Sequence, residues 1–177
     1  LLPRTDPEVS SALTETLRAE GLTIFDGVTY DAARAEGDHA VLTVTSDGTA
    51  RDLTADRLVL TTGRTPNTDG LGLAEIGIET DGRGAIRVGC DMATTRHGIY
   101  AAGDVTDRDQ FVYMAAYGAK LAARNAMGGA ERYENAAMPW VVFTDPQVAG
   151  VGLTEEQAIA AGHKVKTSVL TLDNVPR

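Results

Sequence analysis

The chain has 177 residues, 43% of them hydrophobic, with 19 glycines and a formal net charge of −9; it is long enough to bury a core and has the make-up of an ordinary α/β protein. That charge leaves no basic stripe to displace counterions from a phosphate backbone, which excludes a nucleic-acid partner. No apolar run approaches the roughly 20 residues that cross a bilayer and no signal-peptide pattern opens the chain, so a cytoplasmic protein without a membrane partner is expected.

In chain order, Leu1 stands where a Met would and the last residues stop as a new segment begins, so a piece of a longer polypeptide is expected. Asp6-Pro7-Glu8 sets a helix start, with Asp at the N-cap, Pro at the first helical position and an acid in the first turn. Val9, Ala12, Leu13 and Leu17 form its apolar face, and Gly21 stops it. Residues 22–25 read as a short strand. Two further strands, 40–45 and 50–54, are joined by Ser46-Asp47-Gly48, a hairpin signal. Arg57-Leu58-Val59-Leu60-Thr61 has the pattern of a buried strand and runs into Thr62-Gly63-Arg64-Thr65-Pro66-Asn67. Pro66, Asn67, Gly70 and Gly72 then mark an irregular crossing between domains. Residues 86–88 and 98–101 read as strands flanking a polar loop. A helix over about 109–127 follows, with Val112, Ala115, Ala116, Ala119 and Ala123 on one side and Gly128-Gly129 as its end. Beyond Met138 the pattern is β-β-α-β: strands at 141–143 and 148–152, a capping box at Thr154-Glu155-Glu156-Gln157, a helix closed by Gly162, and a strand over 165–172.

The stretch HGIYAAGDV (97–105) is the most informative for chemistry. In an open α/β sheet, ligands bind beyond the carboxyl ends of strands. Gly103 permits close approach of a ligand to the backbone. The Asp104 carboxylate can accept hydrogen bonds from sugar or polyol hydroxyls, and the following helix adds N–H groups and a positive partial charge. The competing reading makes Asp104 and Asp109 turn and capping residues. Gly63 poses the same choice between a tight turn and a glycine beside a nucleotide. On spacing alone both questions stay open.

Several features carry no chemistry. Gly70-x-Gly72 and Gly150-x-Gly152 lack the third glycine of a dinucleotide fingerprint. The single cysteine, Cys90, has no partner for a disulfide or a CxxC metal site, and His39, His97 and His163 have no ligand-like spacing. Met92, Met114, Met127 and Met138 read as packing residues. No nucleophile–His–acid set can be assembled.

Taken together, RLVLTTGRTPNTDGLGL, GIYAAGDVTDRDQFVYMAAYGAKLAA and PWVVFTDPQVAGVGLTEEQA resemble the pyridine nucleotide-disulfide oxidoreductase family, in the family's order and over almost the whole chain. Within the family, QFVY (110–113) and LTLDNVPR (170–177) are most similar to the mercury(II)-reducing branch. The resemblance implies an α/β fold: a fragment of a flavoprotein with two dinucleotide-binding domains, plus the start of an α+β dimerisation domain. Residues 1–61 would be the C-terminal part of the NAD(P)-binding domain, 62–137 the returning part of the FAD-binding domain, and 138–177 the beginning of the interface domain. It implies that Asp104 holds the ribityl chain of FAD, with Gly103, Gln110, Phe111, Val112 and Tyr113 as further flavin contacts, and that Gly63 lies near the nicotinamide nucleotide, NADPH or NADH. Hg(II) would be the substrate and a homodimer the full-length state. The family's FAD GxGxxG, redox CxxxxC, NAD(P) glycine fingerprint and C-terminal catalytic residues are not among these residues, so no catalytic residue and no turnover are expected of them alone. Two alternatives remain: a family member reducing lipoamide or another disulfide, and a non-catalytic binding module.

Overall fold

The structure, a computed structural model, describes residues 1–171; the last residue of the expected strand 165–172 and most of LTLDNVPR lie outside the described residues. Two units divide the chain, Thr61–Asn135 and a second made of Leu1–Leu60 with the residues from Ala136 on.

In the second unit, three antiparallel strands form a meander: β1 (Thr29–Glu36), β2 (His39–Ser46) and β3 (Thr49–Ala55). The β2–β3 turn is where the sequence puts it. Ser46 pairs with Thr49, leaving Asp47 and Gly48 as a two-residue loop with φ of 50° and 72°, the doubly left-handed turn whose twist suits a hairpin. Val41 and Val44, on opposite faces of the central strand, are only 2% and 1% exposed, worth about 1.5–3 kcal/mol each in burial. Strand β1 has no counterpart in the sequence reading. Its residues, TYDAARAE, are all exposed and lack apolar alternation, so its strand character comes from the β2 ladder. On this edge Arg34 donates to Glu36, Thr43 and Asp52 at 2.6–3.0 Å, a charged row of the kind that guards an edge against further pairing.

Helix α1 (Pro7–Ala19) starts at Asp6 with Pro at its first turn, as expected, but the Asp6 side chain does not cap it. Its Oδ1 instead accepts from Glu155 N at 3.0 Å, at the start of helix α3 (Glu155–Ala160). Leu13 is buried, Val9 and Leu17 are half-buried, and Ala12, expected on the same face, is exposed. The capping box of α3 forms in full: Thr154 Oγ1 accepts from Gln157 N at 3.2 Å, and Gln157 Oε1 accepts from Thr154 N at 3.1 Å. Strands β4 (Pro139–Val142) and β5 (Val148–Val151) pair antiparallel, with the Trp140 ring lying where a Gly150 side chain would stand.

Among the described residues, three expected strands do not form. Residues 22–25, 57–61 and 165–171 carry no ladder, and Val59 and Leu60 are 78% and 73% exposed. An apolar run becomes a strand only when a neighbour takes its N–H and C=O groups, and no described strand lies beside these.

In the Thr61–Asn135 unit, the expected strands 86–88 and 98–101 are reduced to isolated bridges, Thr80↔Ile86, Val88↔Thr94 and Ala93↔Tyr100. They form a bed for helix α2 (Val112–Ala126). Its buried side is Met114, Gly118, Leu121, Ala122 and Asn125, not the alanine side expected from sequence, where Val112 is 88% exposed. Met92, Leu121 and Ala122 form the core, with Val88, Tyr100, Ala102, Tyr117 and Tyr133 packed around them. Met127 is 89% exposed and takes no part in packing. Asn125 is buried and satisfied, donating to Asp91 and Glu131 carbonyls at 2.9 Å and accepting from Glu131 N at 2.8 Å. The helix ends as Gly128-Gly129 predicts. Gly128 takes φ 92°, Gly129 N reaches back to Arg124 O at 3.0 Å and Gly128 N to Asn125 O at 3.0 Å, the paired bonds of a Schellman stop.

Candidate functional site

Helix α2 approaches the extended run 100–103 closely because two positions on the contact are glycine. A Cβ on Gly103 would lie 3.2 Å from Ala115 Cβ, and one on Gly118 would lie 3.4 Å from Ala102 Cβ and from Met92 Cε. Gly103 also has φ 82°, which only glycine adopts without cost. The chain therefore turns at Gly103 beside the first turns of α2, and Asp104 opens a single 3₁₀ turn, Asp104–Thr106, closed by Thr106 N and Oγ1 on Gly103 O at 2.9 and 2.8 Å.

The Asp104 carboxylate is half-exposed. Its Oδ2 accepts from Arg64 Nη1 at 3.2 Å, and the same nitrogen donates to Gln110 O at 2.7 Å. Asp104 Oδ1 has no hydrogen bond among the described residues, so it remains able to accept from a hydroxyl. Arg83 supports the arrangement from the other side, donating to Asp107 Oδ2 at 2.7 Å and to Arg64 O at 3.2 Å. Asp107 Oδ1 in turn accepts from Gln110 Nε2 at 3.0 Å. The N-cap residue Phe111 makes no side-chain capping bond to the start of α2, whose first N–H groups carry a positive partial charge. The rings of Phe111 and Tyr113 stack, 5.3 Å apart and 18° from parallel.

Of the residues singled out from sequence, Asp104 and Gln110 are joined through Arg64; Gly103 holds the turn; Phe111, Val112 and Tyr113 begin the helix. Gly63 precedes Arg64 at φ 121°, with open space where a Cβ would be. Asp109 does not cap the helix. It has φ 36°, and its Oδ2 accepts from Tyr133 Oη at 3.0 Å and Asn135 Nδ2 at 2.6 Å. Nothing in the sequence singles out Arg64 or Arg83 as a site residue. Arg64 sits in the quoted Gly-Arg-x-Pro run, but its reach to residues 40 and 46 positions on leaves no trace in local spacing. A groove of about 620 Å³ elsewhere, lined by Leu2, Pro7, Ile159 and neighbours, belongs to the other unit and includes none of these groups.

What this site can do is hold a hydroxylated chain against an exposed carboxylate while an electron-rich group faces the helix start. An Asp at a glycine turn, set beside a helix start, is an arrangement that can accept from a polyol or sugar hydroxyl. Residues 1–134 match the family model described as pyridine nucleotide-disulphide oxidoreductase, and residues 138–177 match its dimerisation domain; the chain belongs to this family. It is 46% identical to the mercuric reductase of Bacillus cereus, over all of this chain and 28% of that protein. It is 43% identical to the mercuric reductase of Staphylococcus aureus, over 97% of this chain and 32% of that one. The chain thus spans about a third of the length of these relatives. Among solved structures it is similar to the HOCl-induced flavoprotein disulfide reductase RclA from Escherichia coli, with TM-score 0.83 and 29% identity over 99% of this chain and 40% of that one. It is also similar to LpdA from Mycobacterium tuberculosis, with TM-score 0.80 and 29% identity over 90% and 34%.

Proposed function

We propose that these residues form part of the FAD site of a mercury(II) reductase that draws its electrons from NADPH or NADH and works as a cytoplasmic homodimer. The observation that carries the flavin reading is the Gly103-Asp104 turn, docked against the first turns of α2 with a carboxylate oxygen open beside it. Asp104 Oδ1 would accept from a ribityl hydroxyl, and Arg64 holds the carboxylate's orientation through Oδ2. The start of α2, with its positive partial charge, would favour the negative charge that a bound flavin gains on reduction. Gly63, with nothing over its α-carbon, leaves room for the nicotinamide nucleotide. Bound flavin would supply the two-electron relay between nicotinamide and a thiol pair, whose soft sulfurs suit Hg(II). In this reading residues 1–61 complete the NAD(P) domain, 62–137 return to the FAD domain, and 138–177 begin the subunit interface.

Relatives named mercuric reductase, at 40–46% identity across nearly all of the chain, support mercury as the substrate. A second reading, reduction of lipoamide or another disulfide, is supported by the likeness to a flavoprotein disulfide reductase. The test is a polypeptide of the relatives' full length carrying these residues. It should be yellow with bound FAD, and its NADPH oxidation should depend on Hg(II) and release volatile mercury. Turnover with lipoamide or another disulfide and none with Hg(II) would favour the second reading; a colourless protein that takes up no FAD would overturn both.

A further inference from the structure

The loop between the 3₁₀ turn and α2 bends twice, at two aspartates. Asp107 has φ 53° and Asp109 φ 36°, in the left-handed region that side-chain-bearing residues seldom adopt. Phe111 N donates to Asp109 O at 2.6 Å, closing the second bend directly before the helix. Asp is among the few residue types that take this region in turns, so contacts with the Asp109 side chain decide where the bend stands.

At Asp109 the surroundings come from the segment after α2. Tyr133 Oη and Asn135 Nδ2 both donate to Asp109 Oδ2. Tyr133 is itself fixed from several sides. Its ring centroid is 5.1 Å from that of Tyr117, and its Cε2 is 3.4 Å from where a Gly118 Cβ would be. Its N–H donates to Cys90 O at 2.6 Å, and the Arg108 guanidinium carbon lies 5.8 Å from its ring centre. Burial, and then the bond to Asp109, push its phenol well above the usual range, so the hydroxyl stays a donor. A residue packed against the core therefore sets a bend three residues before the first turn of α2.

We propose that Tyr133 and Asn135 are positioning residues which, through the Asp109 carboxylate, set where Gln110–Tyr113 and the start of α2 stand, and with them the electrostatics at the flavin. The last clause rests on the flavin reading above; the positioning of the loop does not.

The experiment has two arms. The first follows amide hydrogen exchange in the unliganded protein for wild type, Tyr133→Phe, Asp109→Ala and the double variant, Asp109→Ala removing the acceptor of both bonds. Tyr133→Phe keeps the ring and removes only the hydroxyl. The amides of Phe111 and Ala115 should exchange at least ten-fold faster in each single variant, with little further gain in the double variant, while β2 keeps its protection. Unchanged rates at Phe111 and Ala115, or an acceleration spread equally over β2, would overturn the positioning role. The second arm uses the flavin-loaded holoprotein. Tyr133→Phe should weaken FAD binding about three- to ten-fold and move the flavin's midpoint potential to more negative values, because a displaced helix start stabilises less negative charge. An unmoved affinity and potential beside a loosened loop would overturn the flavin clause alone. A wild type that binds no FAD would overturn the function proposed above, with the exchange rates still deciding the loop.

Discussion

Asp104 gains its role from the company it keeps. A carboxylate at a turn could serve only as a cap, but here no helix is capped by it, one oxygen is held by Arg64 and the other is open to a ligand. In the flavin-loaded protein, Asp104→Ala would remove a charge-assisted hydrogen bond, worth about 1.5–3 kcal/mol, or about one to two decades in FAD affinity. Since the group is half-exposed, the lower end of that range is expected. Titration of apo-protein followed by flavin fluorescence reads the loss, with Glu8→Gln on α1 as the control; equal affinity for Asp104→Ala and wild type would defeat the assignment. Asn125 carries a stability prediction at the same scale. It is 6% exposed and bonds three backbone groups, so Asn125→Ala strands buried partners and should cost about 1–3 kcal/mol in urea unfolding; a change below half a kcal/mol would mean that water replaces the amide. The turn at Gly103-Asp104 is legible because a glycine, an acid and a small-residue run lie side by side in sequence. The bonds of Arg64, Tyr133 and Asn135 span 24 to 46 residues, and no local pattern encodes them. The same limit explains why Asp109 passed for a cap: its residue type fits, and only the distant donors show otherwise.

At the scale of elements, helix ends, tight turns and the strands that such turns join are readable, while the buried side of α2, strand β1 and the fate of apolar runs without a partner are not. Helices α1, α2 and α3, the Asp47-Gly48 turn and the capping box each rest on residues within five positions of one another. Strand β1, and the expected strands at 22–25 and 57–61, depend on whether a partner strand stands beside them. Thr154→Ala should therefore destabilise α3 locally by about 1 kcal/mol, visible as faster amide exchange at Gln157 and Ala158 with β2 unaffected. The turn at Asp81 gives a pH prediction. Its Oδ1 accepts from Ala85 N at 3.0 Å and Arg83 N at 2.8 Å, and these backbone donors, Ala85 first, hold its carboxyl below the ordinary value of 3.8. A lowered folded-state value means the contribution is complete above the unfolded value and is lost as pH falls through the folded one. Asp81→Asn keeps an acceptor for the turn and removes the charge. The gap in urea midpoint between wild type and Asp81→Asn should hence be constant above about pH 5 and narrow below about pH 4; a gap independent of pH down to 2 would contradict the turn's role.

For the molecule as a whole, the acidic surface and the uncovered apolar runs pull in opposite directions. A net charge of −9 keeps copies apart at low salt, yet Val59, Leu60, Phe143, Val151, Val169 and Leu170 are each 64% or more exposed, and residues 57–60 offer an extended backbone with no ladder. Exposed apolar segments with unpaired backbone are where chains associate. The 177-residue protein should therefore self-associate in light scattering, more strongly as salt screens the charge, and Val59→Lys with Leu60→Lys should reduce the association without lowering the urea midpoint. In a polypeptide of the relatives' full length the same pair of changes should act oppositely. If 57–61 there completes the sheet proposed for the NAD(P) domain, each substitution forfeits about 1.5–3 kcal/mol of apolar burial and adds a charge that must be desolvated. A clean monomer at high concentration and high salt would remove the first half of this argument; an unchanged midpoint for the double substitution at full length would remove the second, and with it the place of residues 57–61 in that sheet.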